Sequence, residues 1–187
     1  GILKFIIEHM ELGLSEWCLA EYSHISSLLG KQNVTFTNIP SGDIKKLQPC
    51  GETTAKKASE LHLKKACILD PKSKVQLSKK DAEEFDYFIF GGILGNNPAE
   101  GRTSILTKSM PLQTRNLGNK QLSTDTAAYV AKKLLEGTGL KDIHFVEEVE
   151  IQIDDGESMV LTFPYAVENG KLIISDKLIQ HISKGDF

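Results

Sequence analysis

Four short apolar runs, at residues 2–7, 34–39, 66–69 and 85–90, constrain the fold more than anything else in this chain. They are rich in isoleucine, valine, threonine or phenylalanine and lack the polar alternation of a strand with one wet face, so they suit strands buried on both sides. Helical or polar stretches separate them. Buried strands that alternate with helices are joined by crossovers, which gives an α/β chain with a mainly parallel sheet and helices on both of its faces.

The connecting segments support this reading. Leu14, Cys18, Tyr22, Ile25 and Leu29 step by three and four along one helical face, and Gly30 supplies a stop. Ala55, Ala58 and Leu61, behind Thr53 or Thr54 as a cap, predict a helix over 52–63. Ser78 to Asp81 has capping-box form and opens a short helix over 79–84. The pattern weakens over 103–117, where Pro111 and Leu112 suggest one more short strand. Ser123 or Thr124 caps a helix with Ala127, Val130, Ala131 and Leu134 inside and Gly137 at its end. Beyond it the period drops to two at Val149, Ile151 and Ile153, and Asp155-Gly156 and Asn169-Gly170 are turn dipeptides. These features predict a strand-rich appendage over 143–174, then a short helix over 177–182. The expected division is a core at 1–142 and an extension at 143–187 packed on the same domain.

At 187 residues and 40% hydrophobic content the chain has material for one sizeable core. Its formal net charge of -3 gives no strong field towards or against nucleic acid. Cys18, Cys50 and Cys67 lack metal-ligand spacing and are odd in number, as for incidental thiols in a reducing compartment, so no metal site is expected. No apolar run approaches the roughly 18 residues of a membrane span. Cytoplasm is the default location, with a nuclear stay left open.

Neither G-x-G-x-x-G after the first strand nor a phosphate loop ending in Lys-Ser or Lys-Thr is present, which argues against Rossmann and P-loop enzymes. Phe90-Gly91-Gly92-Ile93-Leu94-Gly95 instead places glycines at the carboxyl end of a buried strand, where open parallel sheets bind ligands. A plain turn is the alternative. Residues 114–127 form a polar loop that runs into a capped helix, whose free backbone amides either attract a carboxylate or serve only the cap. Leu69-Asp70-Pro71 closes the third strand.

In this order and spacing the three segments resemble the SPOUT methyltransferases. Further motifs match within that superfamily: Ile6-Ile7-Glu8-His9-Met10-Glu11 with Ser15-Glu16-Trp17, Asp86 to Gly95, Leu117 to Gln121 with Thr124 to Ala127, Phe163-Pro164-Tyr165 and Gly170-Lys171. Together they are most similar to a small archaeal and fungal family first labelled as RNA methyltransferases, whose yeast member methylates an arginine on a small-subunit ribosomal protein. The short polar stretch 40–54 departs from the yeast pattern. The resemblance implies a C-terminal trefoil knot, S-adenosylmethionine as cofactor, a protein substrate, single methylation and a monomer. It implies a cofactor pocket of Leu69, Asp70, Pro71, Gly91, Gly92, Ile93, Gly95, Arg115, Leu117, Gly118, Gln121, Leu122 and Thr124.

A guanidinium nucleophile, with a pKa near 13, requires a carboxylate to orient it and assist proton loss. Glu8, Glu11 and Glu16, at or just past the end of the first strand, are the candidates, Glu8 first; a solvated loop acid is the alternative for each. His9 is a candidate proton relay or a plain hydrogen-bonding partner. Trp17 would flank the guanidinium or pack in the core. Asp125 would meet substrate or stabilise a helix start. Arg115, Lys120 and Arg102 are candidates to hold the cofactor carboxylate or a substrate, with surface solvation as the alternative. Two other readings stand beside the arginine methyltransferase: an RNA methyltransferase, which would use a basic patch at Lys56, Lys57, Lys64 and Lys65, and a non-catalytic cofactor-binding module.

Overall fold

The computed structural model describes residues 3–92 and 100–185. In chain order its elements are β1 (Lys4–His9), α1 (Glu16–Leu29), β2 (Val34–Thr37), α2 (Ile44–Leu47), β3 (Glu52–Thr53), β4 (Ala66–Leu69), α3 (Asp81–Glu84), β5 (Tyr87–Gly92), α4 (Glu100–Ser109), β6 (Gln113–Arg115) and α5 (Thr124–Glu136), followed by β7 (His144–Val146), β8 (Val149–Gln152), β9 (Ser158–Leu161), β10 (Tyr165–Glu168), β11 (Lys171–Leu172) and α6 (Asp176–Ser183). The six-stranded sheet has the order β3-β2-β1-β5-β4-β6, and every pairing in it is parallel.

The period of two sorts its side chains. Phe5, Ile7, Phe36, Cys67, Leu69, Phe88 and Phe90 join the cluster that holds α1 and α5. Ile6, Ile68 and Ile89 point the other way, towards Leu106 and Met110 at α4 and towards Ala58. Helices therefore cover both faces, as the apolar runs require. Burying each such side chain contributes roughly 1.5–3 kcal/mol.

Local signals explain most boundaries. Ser15 caps α1 by accepting from the Cys18 amide at 3.1 Å. Gly137 ends α5 at φ 104°, a left-handed value that costs glycine little. Asn169-Gly170 turns β10 into β11, and Asp155-Gly156 lies between β8 and β9. The appendage buries Ile151, Leu161, Tyr165, Leu178 and Ile182 with Ala20 of α1, which seats β8, β9 and α6 on the core.

Three segments differ from the sequence reading. The expected helix over 52–63 is β3 plus a 3-10 turn at Ala58–Leu61, because Thr53 pairs with Phe36 and the Thr54 amide donates to the Phe36 carbonyl. β-branched residues beside an open strand edge joined it. Helix α4 was not expected; its apolar periodicity is thin, with Leu106 its buried apolar residue among the described side chains and Met110 following its last residue. The two turns of helix around α2 also escaped, since a short polar stretch has no period to read. Trefoil threading depends on the path after β5, and residues 93–99 lie outside the described residues.

Candidate active site

The carboxyl ends of β4 and β6, with the described end of β5 at residues 90–92, bring parts of the three ligand-loop candidates together. The Asp70 amide donates to the Arg115 carbonyl at 2.8 Å, which ties the loop after β4 to the end of β6. Asn116 extends that tie: its amide donates to Val75 O, and its carbonyl accepts from the Leu77 amide. At the start of α5, Thr124 Oγ1 lies 3.5 Å from Gly91 O of β5. Leu69 is buried, and Leu117 and Leu122 are half-buried against the main core. Such a rim, apolar with main-chain edges and a helix start, suits a flat heteroaromatic group joined to a carboxylate.

At two glycines of the rim a side chain would force a neighbouring side chain to shift. A Cβ on Gly118 would stand 2.7 Å from Leu140 Cδ2, and its φ is 101°. A Cβ on Gly91 would stand 2.9 Å from Met10 Sδ. Gly92 ends β5, whereas Ile93 and Gly95 lie outside the described residues. Pro71 and Gln121 are exposed at the rim. Asp70 Oδ1 accepts from the Lys72 amide at 2.9 Å and shapes its own turn.

The structure corrects the role given to Arg115. Its guanidinium is buried and turned away from the loops: Nε donates to Asp81 Oδ1 at 3.2 Å, the other nitrogens donate to Thr114 O and Gln113 Oε1, and the group lies over the Phe85 ring. Only its main chain borders the rim. Lys120 likewise pairs with Glu147 of the appendage at 2.6 Å. The Arg102 side chain lies outside the described side chains. The four lysines proposed as a basic patch are exposed but do not form one surface. Lys56 and Lys57 follow the carboxyl end of β3, while Lys64 and Lys65 lead into the amino end of β4.

Among the acids, Glu8 is no loop residue. It sits within β1, 6% exposed, and Oε1 accepts from both Thr37 Oγ1 and the Ala58 amide at 2.7 Å. It braces β1, β2 and the 58–61 turn. His9 is fully buried and has both nitrogens engaged: Nε2 meets the Gly13 carbonyl at 2.6 Å and must donate, which leaves Nδ1 to accept from Tyr22 Oη at 2.7 Å. Burial holds the Tyr22 phenol well above its ordinary pKa, so it remains a donor. Glu16 is an exposed residue in the first turn of α1. Trp17 packs with the appendage cluster, as its alternative reading had it. Glu11 is half-buried on the loop after β1, within electrostatic reach of Cys18, Glu21 and Tyr22.

Asp125 proves to be the centre of a network. It is 1% exposed; Oδ1 accepts from Ser123 Oγ and the Thr126 amide, and Oδ2 meets His24 Nδ1 at 2.9 Å. Its carboxyl is also hydrogen-bonded to that of Glu21, which is 2% exposed. Burial first, then the charges of Asp125 and Glu11, hold the Glu21 carboxyl well above the ordinary range. Tyr165 of β10 reaches the same group through Ser123. Sequence reasoning missed Glu21, His24 and the part played by Tyr165. One signal was available: Glu21 lies three residues past Cys18 and four before Ile25, on the apolar stripe of α1, where a carboxylate needs a partner.

The geometry agrees with what comparison with known proteins shows. The family model described as "Protein arginine N-methyltransferase SFM1-like" matches residues 4–186. Protein arginine N-methyltransferase SFM1 of Saccharomyces cerevisiae is 34% identical over 202 residues, covering 97% of this chain and 95% of the yeast protein. The yeast arginine methyltransferase SFM1 complexed with SAM superposes with a TM-score of 0.87 at 33% identity, over 100% of this chain and 92% of that one. Its complex with SAH gives 0.85 at 34%, over 96% and 94%. A Trm10 from Thermococcus kodakaraensis, 17% identical with a TM-score of 0.57 over 75% of this chain and 96% of its own, shares the fold alone. This chain belongs to the SFM1-like family of protein arginine N-methyltransferases.

Proposed function

We propose that this protein transfers a methyl group from S-adenosylmethionine to one arginine of a small-subunit ribosomal protein, adding a single methyl and acting as a cytoplasmic monomer. The convergence of the segments after β4 and β6 with the carboxyl end of β5 carries the reading, since it provides a main-chain rim where parallel sheets bind ligands. Residues 1–142 would form the catalytic core, knotted where the chain passes the ligand loops, and 143–187 an extension seated on it.

Bound S-adenosylmethionine supplies an electrophilic methyl on a sulfonium. Leu69, Leu117 and Leu122 exclude water from it, Asp70, Pro71, Gly118, Gln121 and Thr124 shape its rim, and the start of α5 offers amides to its carboxylate. Glu11, half-buried on the loop after β1 beside the buried acids, orients the arginine guanidinium and draws its leaving proton. No metal is required, because the sulfur departs as a neutral thioether.

The test is incubation with radiolabelled S-adenosylmethionine and ribosomal subunits from cells lacking the enzyme, with protein and RNA counted separately. Label released as monomethylarginine from one small-subunit protein is the expected result. Label in RNA, or cofactor binding without label in either fraction, would overturn it.

A further inference from the structure

The hydrogen bonds around Asp125 bear on where the proton of the acid pair resides. Asp125 Oδ1 accepts from Ser123 Oγ and from the Thr126 amide, and His24 Nδ1 lies 2.9 Å from Oδ2, where its Nδ1–H tautomer donates to a carboxylate. A carboxyl-carboxyl hydrogen bond needs one O–H; Asp125 Oδ1 already accepts two donors, and with His24 as the Nδ1–H tautomer Oδ2 accepts a third, which favours Glu21 as the holder of that O–H. The pair thus carries one negative charge, and its members span α1 and α5. Asp125 adjoins Thr124, which touches the end of β5.

We propose that Glu21 and His24 are positioning residues for methyl transfer, holding Asp125 in one orientation and the pair at a single negative charge beside the cofactor rim. This rests on the methyltransferase reading. Transfer brings two cations together, a sulfonium and a guanidinium, in a site of low dielectric, and a fixed charge nearby offsets their repulsion without touching either. In the reaction the S–CH3 bond breaks and its electrons stay on sulfur, the N–CH3 bond forms, and one N–H proton leaves the guanidinium. The pair lends its field and exchanges no atoms. The ionisable groups facing it are Glu11 from the loop after β1, Cys18 and Tyr22 of α1 and Tyr165 of β10. Lys177 of α6 donates to Ser23 Oγ beside His24.

The variants are His24→Asn, whose amide keeps a donor at the Nδ1 position, His24→Ala, which removes it, and Glu21→Gln, whose amide replaces the O–H with an N–H that does not titrate. We expect His24→Asn and Glu21→Gln to keep kcat and KM within about threefold, and His24→Ala to lose tenfold or more in kcat with KM little changed, about 1.4 kcal/mol of barrier. Thermal melting of each variant separates this from misfolding. Carbon-13 NMR of labelled carboxyl groups in the wild-type protein, which needs no turnover, should show Glu21 protonated and Asp125 ionised at pH 7. Both ionised, or the proton on Asp125, would overturn the proposal whatever the activity. So would His24→Ala with wild-type kcat, or a folded Glu21→Gln variant that loses tenfold, which would make Glu21 an ionisable base. A wild-type enzyme that forms no methylarginine defeats the functional reading instead, and leaves the NMR result to decide the charge state.

Discussion

Replacing Glu8 by alanine tests whether this acid holds the sheet together or performs chemistry. Its Oε1 accepts two buried donors, Thr37 Oγ1 and the Ala58 amide, each at 2.7 Å. Alanine leaves both without a protein acceptor, at about 1–3 kcal/mol each, or about 2–6 kcal/mol together. At about 2–4 °C per kcal/mol for a chain of this size, the melting point should drop by roughly 5–20 °C. Glutamine keeps an oxygen at the Oε1 position, so Glu8→Gln should stay within about 1 kcal/mol of wild type. Urea unfolding with an unchanged m-value gives the energies, and methylation assays on the same preparations give turnover. An alanine variant within about 1 kcal/mol of wild type would refute the brace. A stable Glu8→Gln variant with a hundredfold lower kcat would show that the charge is needed for the reaction itself.

Arg115→Leu should cost about 3–5 kcal/mol by stranding Asp81 in the interior, yet leave cofactor affinity per folded molecule unchanged, as read by calorimetry; a tenfold weaker affinity would return Arg115 to the pocket. Gly118→Val forces a β-branched residue to φ 101° against Leu140, so it should lower both stability, by about 2 kcal/mol or more, and cofactor binding. Wild-type binding in a folded variant would move the pocket elsewhere. The raised Glu21 carboxyl also sets a sign for pH. Once pH passes the ordinary value of about 4.3, the unfolded chain releases this proton while the folded one keeps it, so stability falls as pH rises until the folded group itself ionises. Glu21→Gln should remove that slope in urea titrations, and an unaltered slope would contradict the assignment.

The sequence disclosed those elements whose side chains repeat. Ile6, Ile68 and Ile89 against Phe5, Cys67 and Phe88 reported a sheet buried on both sides, and Cys18, Tyr22 and Ile25 reported the inner face of α1. Residues 52–63 were misread because alanine spacing says helix while Thr53 and Thr54 answer to a neighbouring strand whose paired residues lie 17 positions earlier, a tertiary effect. The site divided in the same way. Loop positions followed from motif order, but side-chain roles did not, since burial turned Glu8 into a brace and Arg115 into an ion-pair partner. Whether an acid faces solvent or a second acid depends on how two helices meet, and Glu21 and Asp125 lie far apart in the chain.

The strand order has a consequence for synthesis. β5 occupies the place between β1 and β4, yet both are made before it. While the first 86 residues emerge, β1 can pair with β2, but its other edge and the near edge of β4 have no partner. Each presents apolar backbone that another nascent chain could extend. Residues 87–92 close both edges in one step, so a ribosome stalled shortly before them should yield aggregates or chaperone-bound chains, and one stalled well beyond them should not.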